Sequence, residues 1–152
     1  MSKEFQKPYK NTKSKQAAEF LKEINDAQDE KKREELLYTY GKTSPLNMLL
    51  SLNFSESISL ELPEGMPPYK RDEETHPDLL TPLASQIVRL KACVSTNKIP
   101  KFKKEQIFIQ VVEMIPPCDA DVLVSCKDKS LEELYPNITK ELVKKVFPNY
   151  TK

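Results

Sequence analysis

Only two of the 152 residues are glycine, Gly41 and Gly65, whereas twelve are proline. Glycine supplies the positive φ angles of tight hairpin turns and lets the backbone approach a phosphate group closely. Folds with many hairpin-linked strands are therefore disfavoured, and phosphate-binding loops with several glycines are excluded by count. The prolines instead favour rigid connections and the first turns of helices.

Apolar side chains at helical spacing run through most of the chain. The block 105–148 predicts three short helices separated by prolines, each with one stripe of large apolar residues. We expect the helix over 101–115 to be central in the core, because its apolar face is the broadest. That face consists of Ile107, Phe108, Val111, Val112 and Ile115.

Several residues mark the boundaries of the predicted helices. A first helix covers about residues 14–26. Asp29 is placed to cap a second helix that Gly41 would end. Ser44 followed by Pro45 indicates the next start, as an N-cap and a first helical residue. Further start signals are Asp78 or Thr81 before Pro82, Ser130 with Glu133 as a capping box, and Asn137 or Thr139 before the last helix.

Two stretches do not follow the helical pattern. Residues 55–62 alternate between apolar and polar side chains, which predicts an extended segment, and 63–69 predict a turn followed by polyproline-like backbone. The sequence thus predicts an all-α fold, a compact bundle of about six short helices with one extended Pro-rich segment (55–77) wrapped across it. A flexible basic N-terminal arm (1–13) precedes a single helical domain over 14–150.

Net charge and cysteine content limit the class of protein. The formal net charge is +1 with 31% charged residues, which argues against binding nucleic acid over the whole surface but leaves a local basic patch open. The three cysteines, an odd number without an apolar signal segment, indicate reduced thiols in a cytoplasm. No apolar run is long enough to span a membrane, so we expect no membrane association.

Candidate catalytic groups are few. His76 is the single histidine and lies in a polar loop, where it is expected to be solvated. The three thiols Cys93, Cys118 and Cys126 lack metal-ligand spacing and are expected in the core. Acidic pairs such as Asp119 and Asp121 are expected on solvated faces or in the first turns of helices. The sequence therefore predicts no enzymatic activity, no metal, no cofactor and no small-molecule substrate.

The segment 62–69 is the first candidate for binding a partner. Apolar side chains among prolines can be presented to another protein at a low cost in conformational entropy. The same segment could instead strap across its own core, and the sequence leaves both readings open. The candidate partner-binding residues are Leu62, Met66, Pro67, Pro68 and Tyr69.

A basic cluster around residues 98–104 is the alternative candidate. If the two flanking helices form a hairpin, these charges gather at one end, where they would contact phosphate groups or remain solvated. The N-terminal arm carries Lys3, Lys7, Lys10 and Lys13, and would either remain solvated or bind nucleic acid or an acidic partner. The candidate nucleic-acid contacts are Arg89, Lys91, Lys98, Lys101, Lys103 and Lys104.

Four segments carry a likeness to a known family. They are LPEGMPPYK (62–70), EQIFIQVVEMI (105–115), ADVLVSCKDKSL (120–131) and ITKELVKKVFP (138–148). Together they resemble a small uncharacterised protein family of T4-like tailed phages, found in cyanophages and marine relatives. The resemblance implies a setting in the cytoplasm of an infected bacterial host, and it implies no catalytic residues.

These observations predict a non-enzymatic phage accessory or adaptor protein. We expect it to act by protein–protein interaction in replication, transcription or head assembly, with a phage or host protein as partner. The alternative is a nucleic-acid-binding accessory module that uses the basic arm and the Lys98–Lys104 cluster.

Overall fold

The computed structural model describes residues 16–68 and 80–152, and over these residues the fold is all-α. Eight α-helices and two 3₁₀ helices occur in this part of the chain, and none of its residues forms a β-strand. The predicted fold class is confirmed. The predicted arm (1–13) and residues 69–77 of the predicted extended segment lie outside the described residues. The helices are α1 (Ala17–Asn25), α2 (Glu30–Gly41), α3 (Leu46–Phe54), α4 (Leu83–Gln86), the 3₁₀ helix Ile87–Cys93, α5 (Lys101–Met114), α6 (Pro117–Lys127), α7 (Leu131–Leu134), α8 (Lys140–Val146) and the 3₁₀ helix Pro148–Thr151.

Two of the predicted N-caps form as expected. The carboxylate of Asp29 accepts a hydrogen bond from the Lys32 amide at 2.7 Å, at the start of α2. The hydroxyl of Thr139 accepts one from the Leu142 amide at 3.2 Å, at the start of α8. Each bond satisfies one of the amides that a first helical turn leaves without a partner.

The predicted start of α3 is wrong in detail. The helix begins at Leu46, and Pro45 is its N-cap residue, with no side-chain hydrogen bond there. The reason is a backbone turn before the helix, in which the Asn47 amide donates to the Thr43 carbonyl at 3.0 Å. That bond replaces the one that the Ser44 hydroxyl was expected to supply.

The predicted capping box of α7 is also wrong. Ser130 is the N-cap residue, but its side chain accepts no hydrogen bond from α7. Its hydroxyl donates instead to the Ser125 carbonyl at 3.3 Å, a group in the last turn of α6. The Ser130 hydroxyl therefore caps the end of α6 and not the start of α7. The other member of the predicted capping box, Glu133, is exposed.

Gly41 is the last residue of α2, but it does not form the glycine cap that the sequence predicted. The next residue, Lys42, continues in a right-handed conformation, so no left-handed glycine cap forms. A Cβ atom at Gly41 would lie 2.9 Å from Cε2 of Phe147 and 3.1 Å from Cδ1 of Leu50. The side chains of Phe147 and Leu50 therefore leave little space for a larger residue at this position.

The helix predicted after Pro82 is mostly a 3₁₀ helix. Pro82 is the N-cap residue of the four-residue helix α4, and the 3₁₀ helix Ile87–Cys93 follows directly. Buried Leu90 and Cys93 are three residues apart, which places them on one face of a helix with three residues per turn. Val94, one residue further along, is only partly buried.

The centre of the core lies at α3 and α6 and not at α5 as predicted. Of the nine residues of α3, six are buried, and α6 packs against it through a similarly buried face. Helix α5 packs mainly on the 3₁₀ helix Ile87–Cys93, and its flanking side chains Phe102 and Met114 are exposed. Only one side of α5 therefore packs on the core, which places this helix at the edge of the core.

The alternating segment after α3 is extended, as predicted. Leu60 forms a single antiparallel bridge with Val94, and the Glu61 amide donates to the Cys93 carbonyl at 2.8 Å. Leu60 is buried, whereas Ile58 and Leu62 pack on the core from its margin. The segment therefore lies across the end of the 3₁₀ helix Ile87–Cys93.

Asp119 is buried and does not lie on a solvated face as predicted. Its carboxylate accepts a hydrogen bond from the Ala18 amide at 3.0 Å, so it caps the N-terminus of α1 from a distant part of the chain. Burial raises the pKa of this carboxyl, while the hydrogen bonds from the amides of Ala17 and Ala18 oppose the shift. The bond fixes the start of α1 against α6.

Long cationic side chains close the C-terminal ends of helices. The Arg33 guanidinium donates to carbonyl groups at and after the end of α1, including that of Ala27 at 2.8 Å. The Lys129 ammonium donates to the carbonyls of Leu52, Ser55 and Ile58 at 2.7, 2.9 and 2.8 Å, at the end of α3. Both groups lie at the negative end of a helix dipole, where a cation is stabilising.

Lys104 performs the same task from inside the core. Its side chain is fully buried, and the ammonium donates to the carbonyls of Val94 and Asn97 at 2.9 and 2.7 Å, after the 3₁₀ helix Ile87–Cys93. Its third partner is the Glu61 carboxylate at 2.7 Å. One lysine thus joins α5, the extended segment and the end of the 3₁₀ helix.

We expect Lys104→Ala to lower the free energy of unfolding by about 3 kcal/mol, because it leaves a cavity, two carbonyl groups and a carboxylate without their partner. Urea unfolding followed by far-UV circular dichroism measures this change. The matched control is Lys103→Ala, which removes an exposed lysine of the same helix and should change the free energy by less than about 0.5 kcal/mol. Equal effects of the two substitutions would contradict the assigned role of Lys104.

Candidate partner-binding groove

A groove of about 300 Å³ lies between the extended segment and α5. Residues 62–68 form one wall, and Glu105, Phe108 and Ile109 of α5 form the other. Lys127, the last residue of α6, lies at the base. The size is at the lower end of the range of small ligand pockets and suits one large side chain of a partner.

The wall formed by 62–68 is held by the end of α6. The Lys127 ammonium donates to the Pro63 carbonyl at 2.7 Å and pairs with the Asp128 carboxylate at 2.5 Å. The other oxygen of Asp128 accepts a hydrogen bond from the Gly65 amide at 3.0 Å. The side chains of Lys127 and Asp128 therefore fix the turn at Pro63 and Gly65, so the groove is already formed in the absence of a partner.

Gly65 is in a conformation that favours glycine. Its φ angle is +88°, which other residues adopt only with strain, although no atom lies near the position of a Cβ. Met66, which follows Gly65, lines the groove and is 43% exposed. An exposed methionine beside an apolar groove is an adaptable contact for a partner.

Two of the three charged side chains in the described lining of the groove are acidic. Glu64 and Glu105 are its two carboxylates, and the charge of Lys127 is balanced by Asp128. The Lys127 ammonium also lies 5.9 Å from the centre of the Phe108 ring, which adds a cation–π contact within the wall. The described lining therefore combines apolar side chains with two carboxylates and one ammonium group whose charge is balanced.

The groove is coupled to the core through Glu61. The Lys104 ammonium, which donates a hydrogen bond to this carboxylate, holds the pKa of the Glu61 carboxyl below its ordinary value. Glu61 precedes the groove wall by one residue, and its backbone amide is fixed on the Cys93 carbonyl. The position of Leu62 thus depends on the same contacts that organise the end of the 3₁₀ helix.

The structure brings together most of the predicted partner-binding residues. Leu62, Met66, Pro67 and Pro68 all line the groove, whereas Tyr69 lies outside the described residues. The sequence reasoning missed the opposite wall and the base. The run Lys127-Asp128-Lys129 was a possible signal, since three adjacent charges after an apolar helix are well placed to bind backbone groups nearby.

The predicted basic cluster needs one correction. Lys104 is buried and its ammonium has three acceptors, so it does not belong to the surface of the cluster. Arg89 bridges the two helices by donating to Gln110 at 2.6 Å. The residues of the cluster that are exposed are Lys91, Lys98, Lys101 and Lys103.

The structure places the potentially reactive side chains as follows. Cys93 and Cys126 are buried, as predicted, whereas Cys118 is exposed and its thiol donates to Gln16 at 2.7 Å, which corrects its placement in the core. Burial raises the pKa of the Cys93 thiol to about 11, so this group is protonated at neutral pH. No cluster of three or more metal-binding side chains occurs in residues 16–68 and 80–152, and His76 lies outside them.

The described residues define an all-α fold with a groove between residues 62–68 and α5. The chain belongs to the family described as a family of unknown function, DUF6433, whose model matches residues 20–133 of the 152. The match includes every residue of the groove and ends before α8, so the resembling segment 138–148 lies outside it. Curated proteins and solved structures give no match. No helix in the described part of the chain is both long and apolar enough to cross a membrane.

Glu61→Gln is expected to make the protein less sensitive to acid. The lowered pKa of Glu61 contributes stability that is present above its ordinary value of about 4.5 and is lost as the pH falls through the folded-state value. The variant lacks this contribution, so its stability should fall less steeply below pH 4.5. Urea midpoints measured between neutral and acidic pH test this, with the exposed Glu132→Gln as control. Parallel acid profiles for the parent and Glu61→Gln would contradict it.

Proposed function

We propose that this protein is a non-enzymatic accessory or adaptor protein that binds another protein through the groove between residues 62–68 and α5. The observation that carries the proposal is the fixed position of the groove wall, held by Lys127 and Asp128. A preformed site loses little conformational entropy on binding, so a small apolar contact gives useful affinity.

The setting proposed for this interaction comes from the resemblance to T4-like phage proteins. We place the protein in the cytoplasm of an infected bacterial host, acting in replication, transcription or head assembly. The partner is a phage or host protein that presents an apolar side chain next to basic residues, because these complement the apolar side chains and the carboxylates of Glu64 and Glu105 in the described lining.

Met66→Ala should weaken recovery of the partner by about tenfold, because it removes an exposed apolar contact at the edge of the groove. The measurement is quantitative affinity purification of the tagged protein from infected cells, followed by titration of the recovered partner. Met114→Ala is the matched control, since Met114 is 39% exposed but lies at the end of α5 away from the groove lining. Equal loss in both variants, or no loss in either, would count against the groove as the binding site.

A second candidate function is nucleic-acid binding through the basic cluster. The observation that favours it is Phe102, which is 60% exposed and lies between Lys101 and Lys103 in the first turn of α5. An exposed aromatic ring among lysines can stack on a base while the charges contact phosphate groups. The N-terminal arm would add further charge from Lys3, Lys7, Lys10 and Lys13.

Gel-shift measurements at two salt concentrations separate the two functions. Four lysine–phosphate contacts predict an affinity that falls by about 100-fold between 50 and 200 mM salt. The second candidate requires this loss and a further loss in Phe102→Ala, whereas the adaptor gives no retarded band at moderate salt. Replacing Lys127 or Lys129 would be a poor control because both ammonium groups bind backbone carbonyls.

A further inference from the structure

We propose that the nucleic acid recognised by the basic cluster is single-stranded, with one base stacked on the Phe102 ring and the neighbouring phosphate groups bound by Lys98, Lys101 and Lys103. This inference rests on the second candidate function and names the class of ligand for the same site. It does not depend on the groove or on the adaptor function.

The charge of the cluster is not balanced along the chain. Residues 81–104 contain one arginine and five lysines but no aspartate or glutamate, although the whole chain has 24 basic and 23 acidic residues. This run forms α4, the 3₁₀ helix Ile87–Cys93, the connection 94–100 and the first turn of α5. It therefore gives a positively charged surface to a chain whose formal net charge is only +1.

The exposed lysines at the start of α5 have no carboxylate partner among the described residues. Elsewhere in that part of the chain, the exposed side chains of Lys22 and Lys145 pair with carboxylates at 2.6 and 2.8 Å. Lys98, Lys101 and Lys103 are exposed and form no such pair with a described residue. Their charges are thus available to an anionic ligand.

Two carboxylates near the cluster limit how a ligand can lie on it. Glu61 is bound to the buried Lys104 ammonium at 2.7 Å. Glu105 lies one helical turn beyond Lys101, so phosphate groups placed along α5 would be repelled by it. A strand must therefore lie across the beginning of the helix, towards Lys98.

Helix geometry places the Phe102 ring between two of the lysines. Successive residues of an α-helix are about 100° apart, so Phe102 lies between Lys101 and Lys103 and nearly opposite Lys104. Lys104 is fully buried, whereas Phe102 is 60% exposed. The ring therefore faces solvent, with one exposed lysine on each side of it around the helix.

The fold gains little from this arrangement. Among the described residues, no aromatic or cationic side chain is stacked on Phe102, whereas the exposed Tyr38 ring stacks on Phe147 at a centroid distance of 6.0 Å. The lysines of the first turn of α5 lie at the positive end of the helix dipole, and no acidic residue is present there. Side chains that break a local rule without a benefit to the fold are characteristic of functional sites.

An exposed ring distinguishes a single strand from a duplex. In a duplex, neighbouring bases cover both faces of each base, so a side chain outside the helix reaches only the base edges in the grooves. In a single strand, a base can turn outward and stack on an aromatic side chain, which raises the affinity by about tenfold. Contacts to phosphate groups alone would not make this distinction.

Fluorescence anisotropy of a labelled oligothymidine strand of about 20 nucleotides, titrated with the full-length protein, tests the proposal. We expect the strand to bind severalfold more tightly than a labelled duplex of equal length at the same salt concentration. The logarithm of the affinity should fall with the logarithm of the salt concentration with a slope of about −2, because three lysines contact phosphate groups of a single strand.

Two kinds of substitution separate stacking from charge. Phe102→Ala should weaken binding of the strand about tenfold with an unchanged salt slope, because the ring makes no ionic contact. Lys101→Gln should make the slope less steep by about 0.7. The matched controls Tyr38→Ala and Lys32→Gln remove an exposed ring and an exposed lysine of α2 and should change neither quantity. Far-UV circular dichroism checks that each variant is folded.

Three results would overturn the proposal: binding of the duplex as tightly as the strand, an unchanged affinity in Phe102→Ala, or equal losses in Phe102→Ala and Tyr38→Ala. Salt-dependent binding with a preference for the duplex would refute only the class of ligand and leave the second candidate function in place. Absence of binding to both nucleic acids would refute that function as well. The adaptor function is decided separately by the Met66→Ala comparison.

Discussion

The binding of backbone carbonyl groups by cationic side chains is the interaction on which the rest of this structure depends. Helices commonly end at a glycine in a left-handed conformation, but the chain has only two glycines, and neither supplies such an end to an α-helix. Arg33, Lys104 and Lys129 instead close the ends of three helices from other parts of the chain. Each closure is also a tertiary contact, so capping and packing are not separate contributions here.

The same device builds the groove. The extended segment after α3 has a single bridge to the rest of the fold, so most of its carbonyl groups have no partner in a sheet. Lys129 and Lys127 bind the carbonyls of Ile58 and Pro63, and between them Lys104 binds the side-chain carboxylate of Glu61. A segment that would be a mobile loop on composition alone is thereby fixed as a wall opposite α5.

The sequence predicted the class of fold and most helix positions because these depend on apolar periodicity, which is local. It also predicted the segment 62–69 as a candidate for binding a partner, of which residues 62–68 are described. It could not predict that Lys104 is buried, because a lysine beside Lys101 and Lys103 has the pattern of a solvated cluster. The opposite wall of the groove was missed for a similar reason: the flank of α5 at Ile109 is apolar whether it faces a core, a cleft or solvent.

The number and arrangement of N–H groups in each cationic side chain have a further consequence. A lysine ammonium has three N–H groups arranged tetrahedrally, and both Lys104 and Lys129 use all three on oxygen atoms. A guanidinium is planar and cannot reproduce this tripod, while an ammonium cannot span the three carbonyls held by the fork of Arg33. Conserving charge at these positions is therefore insufficient, and exchange of lysine with arginine would alter the coordination geometry on which both the helix ends and the groove rely.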